Sequence, residues 1–212
     1  MKILIVTQNA PLYLAEFLDD LLKKINHKGT CTVAGIIVLK PFFRKNILLD
    51  IWDRYQLYGT KDFLIMLAKI LSNKLKSFFF YYSSHCYSIN NFVRKYEIDV
   101  LSFKNVSSKL LVDHVKSNDI DLIISIASPQ IFNHEILSAP QNGCINYHTS
   151  LLPVYRGRQP LFWAMKNNEK KTGITVHEMD NKLDNGPIIY QQSFDILDDD
   201  SLHDLYIKSI KI

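Results

Sequence analysis

The chain has 212 residues, 47% of them hydrophobic, which suffices for a core buried within one domain, and its formal charge of +4 is only mildly basic. Three widely spaced cysteines without a Cys-x-x-Cys pair argue against a disulfide frame or zinc ribbon, and seven histidines without ligand spacing give no expectation of a metal. No run reaches the ~18 apolar residues of a membrane span, and Met1 to Thr7 is too short a run for a signal peptide. A cytoplasmic protein without membrane contact is expected.

Lys2–Thr7 reads as a buried strand. Leu14, Phe17, Leu18, Leu21, Leu22 and Ile25 follow the three- and four-residue spacing of an amphipathic helix, and Thr32–Leu39 is rich in β-branched residues. A strand–helix–strand opening favours parallel pairing with a right-handed crossover. Residues 41–82 read as a helical insertion, with helices over Ile47–Tyr58 and Asp62–Leu75. The aromatic run Phe78 to Tyr82 is expected in core or interface packing.

Asp99–Phe103 reads as a short strand and Ser107–Lys116 as a helix capped by Ser107, with Leu110, Leu111, His114 and Val115 on one face. Asp121–Ile126 is almost continuously apolar, the pattern of a strand covered on both faces. Cys144–Asn146 is a further strand, and Gly157–Asn168 a helix that carries Trp163 against the core. Thr172–Glu178 and Pro187–Phe194 form a late hairpin-like pair around the Asp180–Gly186 loop. A last helix begins near Asp200, with Leu202, Leu205, Tyr206 and Ile210 on one stripe. The fold class is α/β: a doubly wound, mostly parallel sheet, in one domain over residues 1–212 with a helical insertion.

Three residue types along this frame suit acyl transfer to an amine. Asn146-Tyr147-His148 places an amide and an imidazole at i and i+2, on one side of an extended segment, and Asp184 precedes Asn185-Gly186. An amide N–H can stabilise a developing oxyanion, an imidazole can move a proton, and a carboxylate can orient the imidazole. Taken singly, each has a plain structural reading as a satisfied polar residue or turn former.

Their joint context is more specific. The stretch Asn146 to Met165, with Ser150-Leu151-Leu152-Pro153 inside it, then Thr172 to Asp180 and Leu183 to Ile189, resembles the signature of the formyltetrahydrofolate-dependent formyltransferases, closest to the sugar N-formyltransferase and methionyl-tRNA formyltransferase branch. The resemblance implies a Rossmann-like catalytic domain with Asn146, His148 and Asp184 as catalytic trio and 10-formyltetrahydrofolate as formyl donor. It implies folate contacts from Ser150, Leu152 and Pro153, from the loop holding Met179, Asp180 and Gly186, and from Ile126, Ser128 and Gln130 across the pocket.

The acceptor implied is a nucleotide-diphosphate amino deoxysugar of the kind used in surface polysaccharides. Gln8, Asn9, Tyr155 and Arg156 are expected around it, with Arg44 and Lys45 facing the diphosphate. Thr7-Gln8-Asn9-Ala10-Pro11 lacks the glycine-rich phosphate turn of the glycinamide-ribonucleotide enzymes, which puts a purine precursor behind the sugar. Methionyl-tRNA, a formate-releasing hydrolase and a non-catalytic folate-binding module are the alternatives. The sugar and tRNA relatives usually carry a further C-terminal domain, expected to be absent here. With a +4 charge and no Lys/Arg cluster, nucleic acid is the weaker expectation. A homodimer would find its contacts in residues 47–82.

Overall fold

The amino-terminal run of apolar residues becomes an inner strand, third in order, of a seven-stranded sheet. The computed structural model describes residues 1–10, 12–41, 47–80 and 85–212, so Arg44 and Lys45 lie outside the described residues. In chain order the elements are β1 (Lys2–Gln8), α1 (Leu14–Lys28), β2 (Thr32–Leu39), α2 (Ile47–Phe79), α3 (Ile89–Lys95), β3 (Val100–Leu101) and α4 (Lys109–Ser117). There follow β4 (Leu122–Ile126), α5 (His134–Leu137), β5 (Cys144–His148), α6 (Pro160–Lys166), β6 (Lys171–Glu178), β7 (Ile188–Asp195) and α7 (Leu202–Ile210). The strand order is β3-β2-β1-β4-β5-β6-β7. Pairing is parallel from β3 to β5 and antiparallel from β5 to β7.

Both faces of the parallel half are covered, which explains its unalternating apolar strands. On one face Leu4, Val6, Ile37 and Ile123 pack with Leu111, Val112 and Val115 of α4 and Ile136 of α5. On the other, Ile3, Ile5 and Ile36 pack with Leu14, Leu18 and Leu22 of α1 and Ile89 and Phe92 of α3. Leu18 and Phe92 are fully buried; truncating such a residue to alanine typically costs ~2–5 kcal/mol. A third cluster joins Met66 of α2, Leu161 and Phe162 of α6, and Leu202 and Leu205 of α7.

Several local expectations are corrected. The two helices expected of the insertion are not among them: they are both present within α2 and meet at a kink at Gly59, whose φ of 72° and ψ of 172° are not helical. Ser108 rather than Ser107 caps α4, accepting the Leu111 N–H, while Ser107 accepts the Asn133 N–H. Starting α6 at Pro160 turns Leu161 and Ala164 inward and leaves Trp163 42% exposed. The helices α3 and α5 were not expected. They are too short to show a period, and Ser88 and Asn133 cap them. Phe78, Phe79 and Phe80 are not packed into the core but stand 78%, 72% and 57% exposed. Among the described residues, no helix is long and apolar enough to cross a membrane.

Candidate active site

The strand β5 runs two residues further than its apolar core, so Asn146 and His148 are both strand residues at the carboxyl edge of the parallel sheet. Ligands of open α/β sheets usually bind at that edge. Antiparallel pairing with β6 sets Asn146 opposite His177 and His148 opposite Thr175. The loop between β6 and β7 brings in Asp184. It is folded by the Asp180 carboxylate, which accepts from the Lys182 N–H and the Asn185 amide, each at 2.9 Å.

Asp184 is the meeting point. Its Oδ2 accepts the Gly157 N–H at 2.7 Å and lies 3.6 Å from His148 Nδ1. Its Oδ1 lies 3.4 Å from Asn146 Nδ2 and 3.6 Å from His177 Nε2. At 3.6 Å the histidine approaches are charge contacts rather than formed hydrogen bonds. His148 Nε2 is 2.9 Å from the Tyr155 carbonyl. A carbonyl only accepts, so Nε2 carries the proton and the neutral ring keeps its lone pair at Nδ1, beside Asp184.

The electrostatics separate the two imidazoles. Burial pushes His148 below the ordinary 6.5, and the Asp184 charge and Tyr155 carbonyl offset only part of it, while nearby His177 lowers it further. Burial acts against charge on His177 as well, but Asp184 and the Glu178 carbonyl outweigh it and hold this ring above 6.5. Burial alone would raise Asp184; the neighbouring His177 and His148 rings and the Gly157 N–H bring it net below the usual carboxylate value. The site is therefore built to keep one imidazole neutral beside an ionised carboxylate.

Beyond the trio, Ser150 is fully buried, donating to the Val154 carbonyl at 2.7 Å, and Leu152 is buried beside exposed Pro153. Thr175 and Gln191 hold this loop: Thr175 Oγ1 donates to the Ser150 carbonyl and accepts the Leu152 N–H, and Gln191 Nε2 donates to the Leu152 carbonyl. Ile126 ends β4 beside Tyr147, and its carbonyl accepts from Thr7. Ser128 hydrogen-bonds the Gln130 backbone, while the Gln130 side chain ties the Lys104–Val106 segment. Met179 donates its N–H to the Cys144 carbonyl, and Gly186 approaches the Glu178 carbonyl too closely to admit a Cβ.

Of the expected acceptor residues, Gln8 ends β1 and Asn9 follows it, its N–H bonded to the Leu39 carbonyl. Tyr155 has a positive φ of 57°, and its hydroxyl is bonded to Glu169 and Asn167. Its carbonyl, rather than its ring, addresses His148. Arg156 is exposed beside it. His177 had no expected role. The available signal was two polar residues, Thr175 and His177, alternating with apolar Ile174 and Val176. Among the described residues, no group of three or more His, Cys, Asp or Glu could hold a metal ion.

The sequence model described as formyl transferase matches residues 80–211, more than half of the chain. The chain belongs to the formyl transferase family. The family segment thus takes in Asn146, His148, His177 and Asp184. A methionyl-tRNA formyltransferase of Halalkalibacterium halodurans is 40% identical over 114 residues, covering 54% of this chain and 36% of the relative. The bifunctional polymyxin resistance protein ArnA of Wigglesworthia glossinidia brevipalpis is also 40% identical over 114 residues, covering 54% and 17%. The matched stretch is therefore well under half of either relative. A sugar N-formyltransferase structure from Shewanella sp FDAARGOS_354 covers 100% of this chain and 64% of its own, at 22% identity and a TM-score of 0.58, a likeness of fold.

Proposed function

We propose that this chain is an N-formyltransferase that moves the formyl group of 10-formyltetrahydrofolate to the amine of a nucleotide-linked amino deoxysugar. The observation that carries the reading is the convergence of the Asn146 amide, the His148 Nδ1 lone pair and the ionised Asp184 at one buried strand edge. The expected folate segments adjoin it. The end of β4 lies beside β5, the Ser150–Leu152 loop follows β5, and Met179 is bonded back to Cys144. Apolar Ile126, Leu152 and Met179 with these backbone edges suit a flat heteroaromatic ring.

When bound, 10-formyltetrahydrofolate supplies an electrophilic carbon joined to a nitrogen leaving group. Asn146 Nδ2 donates to the formyl oxygen as negative charge builds on it. His148 Nδ1 accepts the proton lost by the attacking amine, and the imidazolium so formed faces Asp184. The same proton returns from Nδ1 to the departing nitrogen as its bond to the formyl carbon breaks. Tyr155 fixes the ring tautomer through its carbonyl, and Gly157 fixes the carboxylate.

Methionyl-tRNA is the second acceptor reading, favoured by the name of the Halalkalibacterium relative. The small positive charge, +4 over 212 residues, favours the sugar, because tRNA binding uses several phosphate contacts. The deciding experiment offers 10-formyltetrahydrofolate with a panel of nucleotide-diphosphate amino sugars and, separately, formylatable tRNA, followed by mass spectrometry with His148→Ala as control. A formyl mass gained by a sugar and lost in the variant supports the proposal. Transfer only to tRNA replaces the acceptor. Formate release without an acceptor makes the chain a hydrolase, and folate binding without turnover a non-catalytic module.

A further inference from the structure

The second half of α2 has two apolar faces, and the fold uses one. Met66 is buried against α6 and α7, Asn73 donates to the Leu12 carbonyl, and Lys69 reaches Glu16. On the opposite face Leu64, Leu67, Leu71, Leu75 and Phe78 are 55%, 41%, 53%, 59% and 78% exposed. Their steps of three, four, four and three residues make the straight seam on which helices pair. Phe79, one turn beyond Leu75 and 72% exposed, extends it at one end. At ~200 Å² per aromatic or large aliphatic side chain, the exposed parts amount to roughly 700 Å². That is about what each partner gives to a standard protein interface, and more than a monomer ordinarily leaves open.

The stripe reads the same in both directions about Leu71. Two antiparallel copies would set Leu71 on Leu71, Leu67 on Leu75 and Leu64 on Phe78, the self-complementarity a two-fold interface requires. Charge selects this direction. A parallel alignment brings Lys74, at the edge of the seam, against Lys74 of the other copy; the antiparallel one sets it against Ala68. We infer that the occupant of this face is a second copy of the chain, joined through α2 in an antiparallel pair with Leu71 at the two-fold axis.

The inference is independent of the acceptor and of formyl transfer. Its test is the mass of the full chain by sedimentation equilibrium, with variants at the seam. Twice the 24.6 kDa of one chain is expected, falling to one chain in Leu71→Glu. In a Cys31→Ser background, Leu71→Cys should cross-link to itself on oxidation. Leu67→Cys should link to Leu75→Cys chains in a mixture but not to itself. A wild-type monomer at its highest soluble concentration would overturn the inference, as would a dimer indifferent to Leu71→Glu. So would Leu67→Cys linking to itself, the mark of a parallel pair. A monomer that instead sediments with anionic lipid vesicles assigns the face to a membrane surface and overturns it too.

Discussion

Asn146 Nδ2 lies 3.2 Å from His177 Nε2, and the two residues are direct partners across β5 and β6. His177 Nδ1 is 2.7 Å from the Glu178 carbonyl and so holds a proton there. The neutral ring then accepts one Asn146 N–H at Nε2, while Asp184 Oδ1 draws on the other at 3.4 Å. A second proton on His177 turns Nε2 into a donor toward Asp184 and frees an Asn146 N–H for an incoming oxyanion. On the proposed mechanism the active form would pair a protonated His177 with a neutral His148.

This gives a signed pH prediction. Transfer should follow a bell, with an acidic limb below 6.5, where His148 gains its proton, and an alkaline limb above 6.5, where His177 loses its own. His177→Asn removes a charge that depresses His148, so the acidic limb should move up and the alkaline limb vanish. Asp184→Asn removes the charge that raises both rings, so both limbs should move down. The limbs belong to the coupled set rather than to one ring. A pH series of kcat/KM for the three proteins is the check, and limbs that stay put in His177→Asn would refute the gating role.

Loss of the amide donor gives a second prediction. Asn146→Ala should lower kcat ~10²–10³-fold, the usual effect of deleting one oxyanion donor, with little change in melting temperature. Asn146→Asp places a carboxylate where negative charge develops and should be slower still. Single-turnover rates separate this from binding. An Asn146→Asp variant faster than Asn146→Ala would remove the oxyanion role.

The sheet was legible because buried parallel strands leave uninterrupted apolar runs, as in Lys2–Thr7 and Asp121–Ile126. Asn146 and His148 were legible as a pair through alternation, and Asp184 only through the family resemblance of the segment that holds it. His177 was not, because its importance comes from a cross-strand register that no local spacing encodes. The contact of the Tyr155 carbonyl with His148 was not legible either, because backbone roles leave little trace in residue type. The phase of α6 was missed because the helix starts at Pro160 rather than Gly157, which turns Trp163 outward.

Asp19 offers a prediction about stability away from the site. Its carboxylate is buried between α1 and α3, where it accepts from Lys95 at 2.6 Å, Tyr96 at 2.8 Å and Cys86 at 3.2 Å and contacts Lys23 at 2.7 Å. Burial alone would raise its pKa, but these donors hold it far below the ordinary 3.8. A carboxyl with a depressed folded pKa contributes stability that is present above its unfolded value and lost as pH falls through its folded one. Asp19→Asn should therefore cost on the order of 3 kcal/mol at neutral pH, by leaving Lys95 partly buried and unpaired. The gap from wild type should close progressively below pH 3.8. Denaturant melts at neutral and acidic pH test this, and a gap that persists unchanged in acid would contradict it.

Gly186 ties the geometry of the loop to the chemistry. A Cβ there would run into the Glu178 carbonyl, a backbone atom that cannot swing aside, so Gly186→Ala must displace the chain two residues from Asp184. Asp184 is held by a 2.7 Å hydrogen bond from Gly157, a longer one of 3.4 Å from Asn146 and charge contacts to two imidazoles, and a displacement of about 1 Å can cost ~10²-fold in rate. Gly173→Ala meets a similar obstacle at the Gln192 carbonyl, but between paired strands β6 and β7. The first variant should lose kcat with a small change in melting temperature, and the second chiefly stability. A Gly186→Ala protein with wild-type kcat and pH profile would show that the position of Asp184 is not set by this close approach.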